Sequence, residues 1–228
     1  MEKKRRVEET PVISSASVFM FNSKSAAVSP GKGAKETLRA GDSFPVLAKV
    51  PNWRRMLSAF HVTKKPLEFR GMQFATQEHA WHAAKFLGCE FHKWFALGHP
   101  TSPFCRDPVL AKSAGGKSGK VRAAVGQPLD GKKATKRVVF TRPKEFVMDA
   151  TFLANARAIR LEIMRAKVKA DPDVAEVLMG TGNAVLTHWT RGSAPPVVEE
   201  ELMRVRDELV RSACAVERGR FLLQFLDT

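Results

Sequence analysis

The chain has 228 residues, 44% of them hydrophobic and 27% charged, with no tyrosine; that is enough apolar material for a substantial core, and it excludes a disordered tail or a mini-protein. Lysine and arginine number 38 against 23 acids, giving a formal net charge of +15 and a sequence pI near 10.1, which calls for an anionic partner or substrate. The length allows one large domain or two small ones, and the expected organisation is one domain over 18–228 behind a mobile basic tail, residues 1–17.

The tail begins with Lys3, Lys4, Arg5 and Arg6 and then becomes Ser-, Thr- and Pro-rich, with no helical or strand period. Such a cluster reads as a solvated end, a nuclear address or a nucleic-acid contact. No apolar h-region follows it, and no stretch of about 18 apolar residues occurs, so an intracellular protein away from membranes, cytoplasmic or nuclear, is expected. Three cysteines, Cys89, Cys105 and Cys214, are an odd number at irregular spacing, which fits a reducing compartment better than a disulfide framework.

A short strand over 17–22 is expected to open the fold. After it come Ser23, Lys24 and Ser25, and then the loop Pro30-Gly31-Lys32-Gly33, which can aim backbone N–H groups at an anion or be an ordinary surface turn. Residues 53–60 suggest a short apolar turn leading into strands over 67–69 and 72–74, joined by Arg70-Gly71: a hairpin feeding a helix. Thr76 is a good N-cap for that helix, predicted over 77–87, which is alanine-rich and free of Gly and Pro. Residues 112–144 hold Lys112, Lys117, Lys120, Arg122, Lys132, Lys133, Lys136, Arg137, Arg142 and Lys144 against the single acid Asp130. This is the basic face, predicted to be largely loop.

From 145 to about 170, Phe146, Val147, Ala150, Leu153, Ala154, Ile159, Ile163 and Met164 roughly follow helical spacing, over one long or broken helix. Asp171-Pro172 then starts a short helix ending at Gly180. Over 198–211, Val198, Leu202, Val205 and Leu209 recur at i, i+4, i+7 and i+11, with Glu199, Glu200 and Glu201 in the first turn and Arg211 at the end; charge and period agree on an amphipathic helix. The apolar run 221–226 is expected to dock on the core. No internal repeat is evident. Together these readings give a mainly helical α+β domain with a short N-terminal β element.

Three groups of residues suggest chemistry. Residues 111–118 come one glycine short of a phosphate-binding loop, because Ala111 stands at its first position and Asp107-Pro108-Val109-Leu110 makes a poor preceding strand. Cys89, His92, His99 and Cys105 carry ligand types for zinc, but their spacing matches no standard finger, so no metal is expected. In the helix over 77–87, at about 100° per residue, Glu78, His82 and Lys85 share one face while Ala80, Ala83, Ala84 and Leu87 share the other. That is either a solvated Glu-to-Lys stripe or a functional face.

The run Glu78-His79-Ala80-Trp81-His82-Ala83-Ala84-Lys85-Phe86 resembles the Glu-His-(aromatic)-x-x-Ala-x-Lys-Phe signature of the NADAR family. Leu57-Ser58-Ala59-Phe60 is similar to that family's Leu-Ser-Asn-Phe, and Phe69-Arg70-Gly71-Met72-Gln73-Phe74 to its strand-Gly-strand lead-in. Gly180-Thr181-Gly182-Asn183, followed by Leu202-Met203-Arg204-Val205-Arg206, resembles its Thr-Gly-(Asp/Asn) turn and final Leu-Met-x-Val-Arg helix. The matches run in order over about 18–210. Two segments depart: Ala59 replaces the asparagine, and His188-Trp189-Thr190-Arg191-Gly192 replaces a segment that holds a Trp-Gly pair, an acid and Asn-x-Leu-Gly.

The resemblance implies N-glycoside cleavage without a cofactor: some relatives split a base-to-ribose bond in riboflavin-pathway intermediates, others remove ADP-ribose from modified guanine. An oxocarbenium-like sugar is stabilised by a carboxylate, and Glu78 is the candidate. If the ribose opens at C1′, Lys85 could capture that carbon as a Schiff base, which requires burial or basic surroundings to offset the raising effect of Glu78 on the lysine. Trp81, Trp189 or Phe91 could stack on a base, and Lys24, Lys32, Lys117 and Arg191 could hold a pyrophosphate. Gly31, Gly33, His79 and His82 complete the candidate substrate-binding set. The partner would be an ADP-ribosylated nucleotide or nucleic acid, with DNA or RNA backbone contact through the basic region 112–144. The alternative is a binding module for nucleic acid or ADP-ribose that keeps the fold without turnover.

Overall fold

A computed structural model of the chain describes residues 16–124, 136–189 and 195–226, with side chains as far as 216. Lys3, Lys4, Arg5, Arg6, Lys132, Lys133 and Arg191, and the side chains of the run 221–226, lie outside the described residues.

The elements in chain order are β1 (Val18–Phe21), α1 (Pro45–Lys49), α2 (Trp53–Leu57), β2 (Val62–Phe69), β3 (Met72–Thr76), α3 (Gln77–Ala84), a 3-10 turn (Glu90–Phe95), α4 (Pro108–Ala114), β4 (Lys120–Ala124), β5 (Lys136–Thr141), α5 (Phe152–Ala170), α6 (Pro172–Gly180), β6 (Val185–His188), β7 (Val197–Val198) and α7 (Glu200–Leu226). This is an α+β protein, mainly helical, opened by the short strand expected over 17–22. β1 runs parallel to β6, with Val18 opposite Val185, and β7 adds antiparallel to β6; β2–β3 and β4–β5 are separate antiparallel hairpins. Among the described residues no helix is long and apolar enough to cross a membrane.

α5 organises the core because it buries two faces. Phe152, Ile159 and Ile163 join Phe69, Phe74, Phe91, Phe95 and Phe104 in one apolar cluster. Leu161, Met164 and Val168 join Phe19, Trp53, Leu178, Leu186 and Leu202 in a second. Each fully buried phenylalanine or leucine contributes about 2 kcal/mol of burial. Between the two faces Arg160, Lys167 and the C-cap Asp171 fall within about 40° of one another around the axis. This polar stripe meets Glu199, the Ser58 carbonyl and His61 respectively.

Two expectations are corrected by local hydrogen bonding. Residues 145–151 are not helical. The Asp149 N–H is given to the Lys85 carbonyl at 2.8 Å, and the Asp149 carboxylate accepts from Thr151 N–H and Oγ1 at 2.8 and 2.7 Å, so the helix starts only at Phe152. That stretch leaves Val147 exposed and stacks Phe146 on Phe91 with centroids 5.2 Å apart. The basic region, expected as loop, is mainly α4 and the β4–β5 hairpin among its described residues, with Val121 opposite Phe140. Arg142 Nη1 ties the two together by donating to the Ala114 and Gly116 carbonyls at 2.9 and 3.1 Å.

The Asp171-Pro172 start and the end at Gly180 of α6 are as expected. Val198 belongs to β7, so the amphipathic helix begins at Glu200; it continues through 221–226 as helix.

The Pro30-Gly31-Lys32-Gly33 loop does aim N–H groups at an anion, and the anion is the chain's own Glu36. Gly31 and Gly33 donate to Glu36 Oε2 at 3.1 and 3.0 Å, and Arg54 closes a bidentate pair on the same carboxylate at 2.6 Å with both side chains buried. The remaining Arg54 donors reach the Val28 and Ser29 carbonyls. Removing one member of such a pair leaves the other charge buried alone. Glu36→Ala is therefore expected to lower unfolding stability by about 3 kcal/mol or more, measured by urea denaturation; a loss within about 0.5 kcal/mol would refute the assignment.

Lys167 is fully buried on a single hydrogen bond, Nζ to the Ser58 carbonyl at 2.7 Å, and burial pulls its pKa down to about 7 against the pull of Asp171 and Glu199. The unfolded chain then holds the proton more tightly than the folded one, so stability from this group is lost as pH falls from the ordinary lysine range toward 7. Wild type is expected to gain on the order of 1 kcal/mol per pH unit relative to Lys167→Met between pH 7 and 10; parallel stability curves for the two proteins would refute it.

Candidate functional site

The site begins at the β3–α3 junction. Thr76 is extended and N-caps α3, its Oγ1 accepting from the His79 N–H at 3.4 Å. The Glu78 N–H donates to the Ala59 carbonyl at 2.9 Å, which binds the first turn of α3 to the loop after α2. The β2–β3 turn upstream is Arg70-Gly71, both with positive φ, 48° and 76°, the backbone a two-residue hairpin requires. α3 stops at Ala84, three residues before the expected end, because Asp149 captures the Lys85 carbonyl from outside the helix.

This frame brings Glu78, His82 and Lys85 together along one face of α3, as the spacing indicated. They line a cavity of about 270 Å³ whose other ionisable groups are Lys112 of α4, Arg160 of α5 and His188 of β6. Ala59, Trp81 and Ile163 supply apolar wall. Lys112, Arg160 and His188 converge here from distant segments. Lys112 belongs to the basic region and His188 opens the segment that departs from the family pattern, though neither is among the candidate site residues; Arg160 carries a readable signal, a charge inside an apolar helical repeat.

Glu78 is buried and hydrogen-bonded by His82, Nε2 to Oε1 at 3.1 Å, with Lys112 Nζ at 3.7 Å from the same oxygen. Burial pushes the Glu78 carboxyl up, but the His82 hydrogen bond and the nearby cations Lys112 and Lys85 overcome it and leave it below its ordinary value. His82 is itself pulled down, chiefly by burial, so it is the neutral ring donating Nε2–H to the carboxylate. Its Nδ1 is buried without a partner among the described residues. The ring fits only because residue 115 is glycine, since a Cβ there would stand 2.1 Å from Nδ1. Lys85, half-buried, is pulled below the ordinary lysine value by burial, against Glu78 and with Lys112 and Arg142. That is the offset the Schiff-base reading requires.

Other candidate residues have structural occupations. His79 is locked between Thr76 Oγ1 at Nδ1, 2.8 Å, and the Phe104 carbonyl at Nε2, 2.9 Å; burial takes its pKa to about 4, so it is neutral and off the cavity. Phe91 is fully buried in the core, against the expectation of base stacking. Trp81 lines the cavity with an edge contact to Phe152 at 5.0 Å. Trp189 is exposed beside His188 and is not a wall residue. Lys24, Lys32 and Lys117 are exposed and do not reach the cavity, and the Gly31 and Gly33 N–H groups are taken by Glu36.

Asp107 N-caps α4 through Val109 and Leu110 N–H, so residues 111–118 run from helix into turn, the reverse of a phosphate-binding loop. Among the described residues no three of His, Cys, Asp and Glu group as a metal site.

No protein-family model matches the chain, and no curated protein matches it. Among solved structures it is similar to the NMR structure of the E. coli protein YbiA, at 17% sequence identity over 72% of this chain and 80% of that one, with a TM-score of 0.46.

If His82 holds Glu78 ionised, replacing the ring by one of similar shape with no donor should raise the carboxyl. Carbon NMR titration of side-chain carboxyls is expected to show Glu78 below the ordinary glutamate range in wild type and well above its wild-type value in His82→Phe. An unchanged titration would remove His82 from this role.

Proposed function

We propose that this protein cleaves an N-glycosidic bond, and that its substrate is an ADP-ribosylated guanine, in a nucleotide or in nucleic acid. The observation that supports this best is the pairing, one helical face apart, of a buried ionised carboxylate, Glu78, with an amine shifted toward neutrality, Lys85, on one cavity. The sequence resemblance of the same α3 segment to the NADAR signature supplies the substrate class.

In this reading the C1′–N bond to the base breaks, its electron pair passing to the base nitrogen, which takes a proton. Positive charge grows on C1′ and O4′ beside the Glu78 carboxylate, which is worth most where it is pre-oriented and shielded from water. Neutral Lys85 Nζ bonds to C1′; Nζ then loses a proton, and the C1′–O4′ bond opens with O4′ taking a proton, leaving an iminium. Water adds to C1′, the amine departs, and lysine and free sugar are regenerated. His82 donates one hydrogen bond to Glu78 throughout and needs no proton exchange of its own. Trp81 offers a ring face or edge to the base.

A second reading has its own observation. Lys120, Arg122, Lys136 and Arg137 project from the β4–β5 hairpin as exposed cations with no ion-pair partner among the described residues, which suits contact with a DNA or RNA backbone. Pure binding predicts steep salt dependence and indifference to Glu78.

The test is release of ADP-ribose from a guanine-ADP-ribosylated oligonucleotide, beside free ADP-ribosyl nucleotides. Wild type is expected to release it, Glu78→Gln to lose about 100-fold or more in kcat, and Lys85→Ala to lose the adduct that borohydride traps in wild type. Binding without cleavage by wild type would transfer the protein to the second reading.

A further inference from the structure

Gln77 opens α3 beside Glu78 and lines the same cavity. It is 7% exposed, and neither its Oε1 nor its Nε2 has a hydrogen-bond partner among the described residues. Neither atom is sealed off in the way that Trp53 Nε1 and His82 Nδ1 are. A carboxamide held at this depth without a partner is costly unless a ligand in the cavity supplies its bonds.

The surroundings of Gln77 define that ligand. Gln77, Trp81 and Lys85 follow at i, i+4 and i+8, within about 80° of one another around α3, and all three line the cavity. Phe152 pins the Trp81 ring, with centroids 5.0 Å apart and planes at 64°, and Lys85 Nζ lies 6.0 Å from the Trp81 centroid. Ala59 and Ile163 add apolar wall. The hydroxyls of a sugar find few partners on aromatic and aliphatic surface. A flat heterocycle has faces suited to it and polar atoms only along its edge, where a single well-placed amide is enough to orient it.

We infer that Gln77 reads the hydrogen-bonding edge of the base, its carboxamide pairing with an adjacent donor and acceptor on the heterocycle while Trp81 lies against the ring. Oε1 accepts from a ring N–H or an amino group, and Nε2 donates to the neighbouring carbonyl or ring nitrogen, the bidentate match that a glutamine makes with a base edge. No protein group fixes which way the amide faces, so Gln77 can turn to serve either order of donor and acceptor. It therefore selects for the pair and not for one base. In guanine, the base of the proposed substrate, the pair is the ring N–H and the carbonyl beside it. That this base is the leaving group rests on the proposed glycosidase function; the contact itself does not.

The test uses binding alone, on the full-length protein. The probes are 9-methylhypoxanthine and 9-methyladenine, which carry the pair in opposite orders, 9-methylpurine, which has only the ring acceptor there, and 1-O-methyl ribose. Wild type is expected to bind the first two about fivefold or more tighter than 9-methylpurine, and Gln77→Met, similar in length but without the amide, to lose that preference. Nitrogen-15 NMR of wild type is expected to show the Gln77 side-chain amide shifting with the first two bases and not with the sugar. No preference in wild type, a preference that survives in a folded Gln77→Met, or a Gln77 amide that responds to 1-O-methyl ribose in place of the bases overturns the inference. With preference and shift intact, failure of wild type to release ADP-ribose counts against the glycosidase reading and leaves the contact standing.

Discussion

The structure depends on one helix having to bury two faces at once. α5 packs phenylalanines on one flank and the β1–β6–β7 side on the other, so a seam between the two apolar clusters is unavoidable. Side chains on that line of α5 are withdrawn from bulk water without being inside either cluster, Lys167 fully and Arg160 in part. Arg160 and Lys167 occupy that line, and each carries a specific partner, Glu199 and the Ser58 carbonyl. A polar group there costs stability unless it is bonded, which explains why the partners are single, buried and well fixed. The cavity is the open part of this seam, with α3 supplying one wall and β6 with α5 the other.

Within the cavity the chemistry follows from spacing on a short helix. Alanines at 80, 83 and 84 let α3 lie close against the aromatic cluster, which sinks Glu78 and His82 to a depth where a hydrogen bond and a few charges decide ionisation. Two local costs are accepted there: a bare imidazole nitrogen and a residue, Gly115, that can carry no side chain. Both serve the contact of His82 with Glu78. Burial opposes the charge on both groups: at Glu78 the hydrogen bond and nearby cations overcome it, while at Lys85 it prevails and pulls the amine toward neutrality. Both groups are shifted downward, which holds the carboxylate in its charged form and moves the amine toward its neutral one.

Much of the local structure was legible because it is written in nearest-neighbour chemistry. The Arg70-Gly71 turn, the Thr76 cap, the Asp171-Pro172 start and the face shared by Glu78, His82 and Lys85 need only a few adjacent residues to be read. The errors came where a distant group intervened. Asp149 ends α3 and delays α5; Arg142 turns a glycine-rich basic stretch into a braced hairpin; Glu36 takes the N–H groups of the glycine loop. Arg160 escaped for the same reason, since its meaning lies in Glu199, 39 residues away, and in a cavity assembled from α3, α4, α5, β6 and the loop after α2. Phe91 and His79, chosen as substrate contacts by residue type, are consumed by the core and by Phe104. Sequence pattern reports periodicity well and competition for partners poorly.

The Glu36 loop shows what such competition means for a free ligand. A phosphate approaching Gly31 and Gly33 would have to displace a carboxylate that is part of the same chain and held by Arg54 as well. A tethered group of this kind acts as a resident competitor at an effective concentration of about millimolar or higher, and no diffusing anion at cellular levels evicts it easily. The loop is thus a receptor that has been delivered with its ligand attached. Its glycines serve to receive Glu36, anchoring the strand-to-helix connection, and the sequence signature of an anion cradle is here the signature of an internal lock.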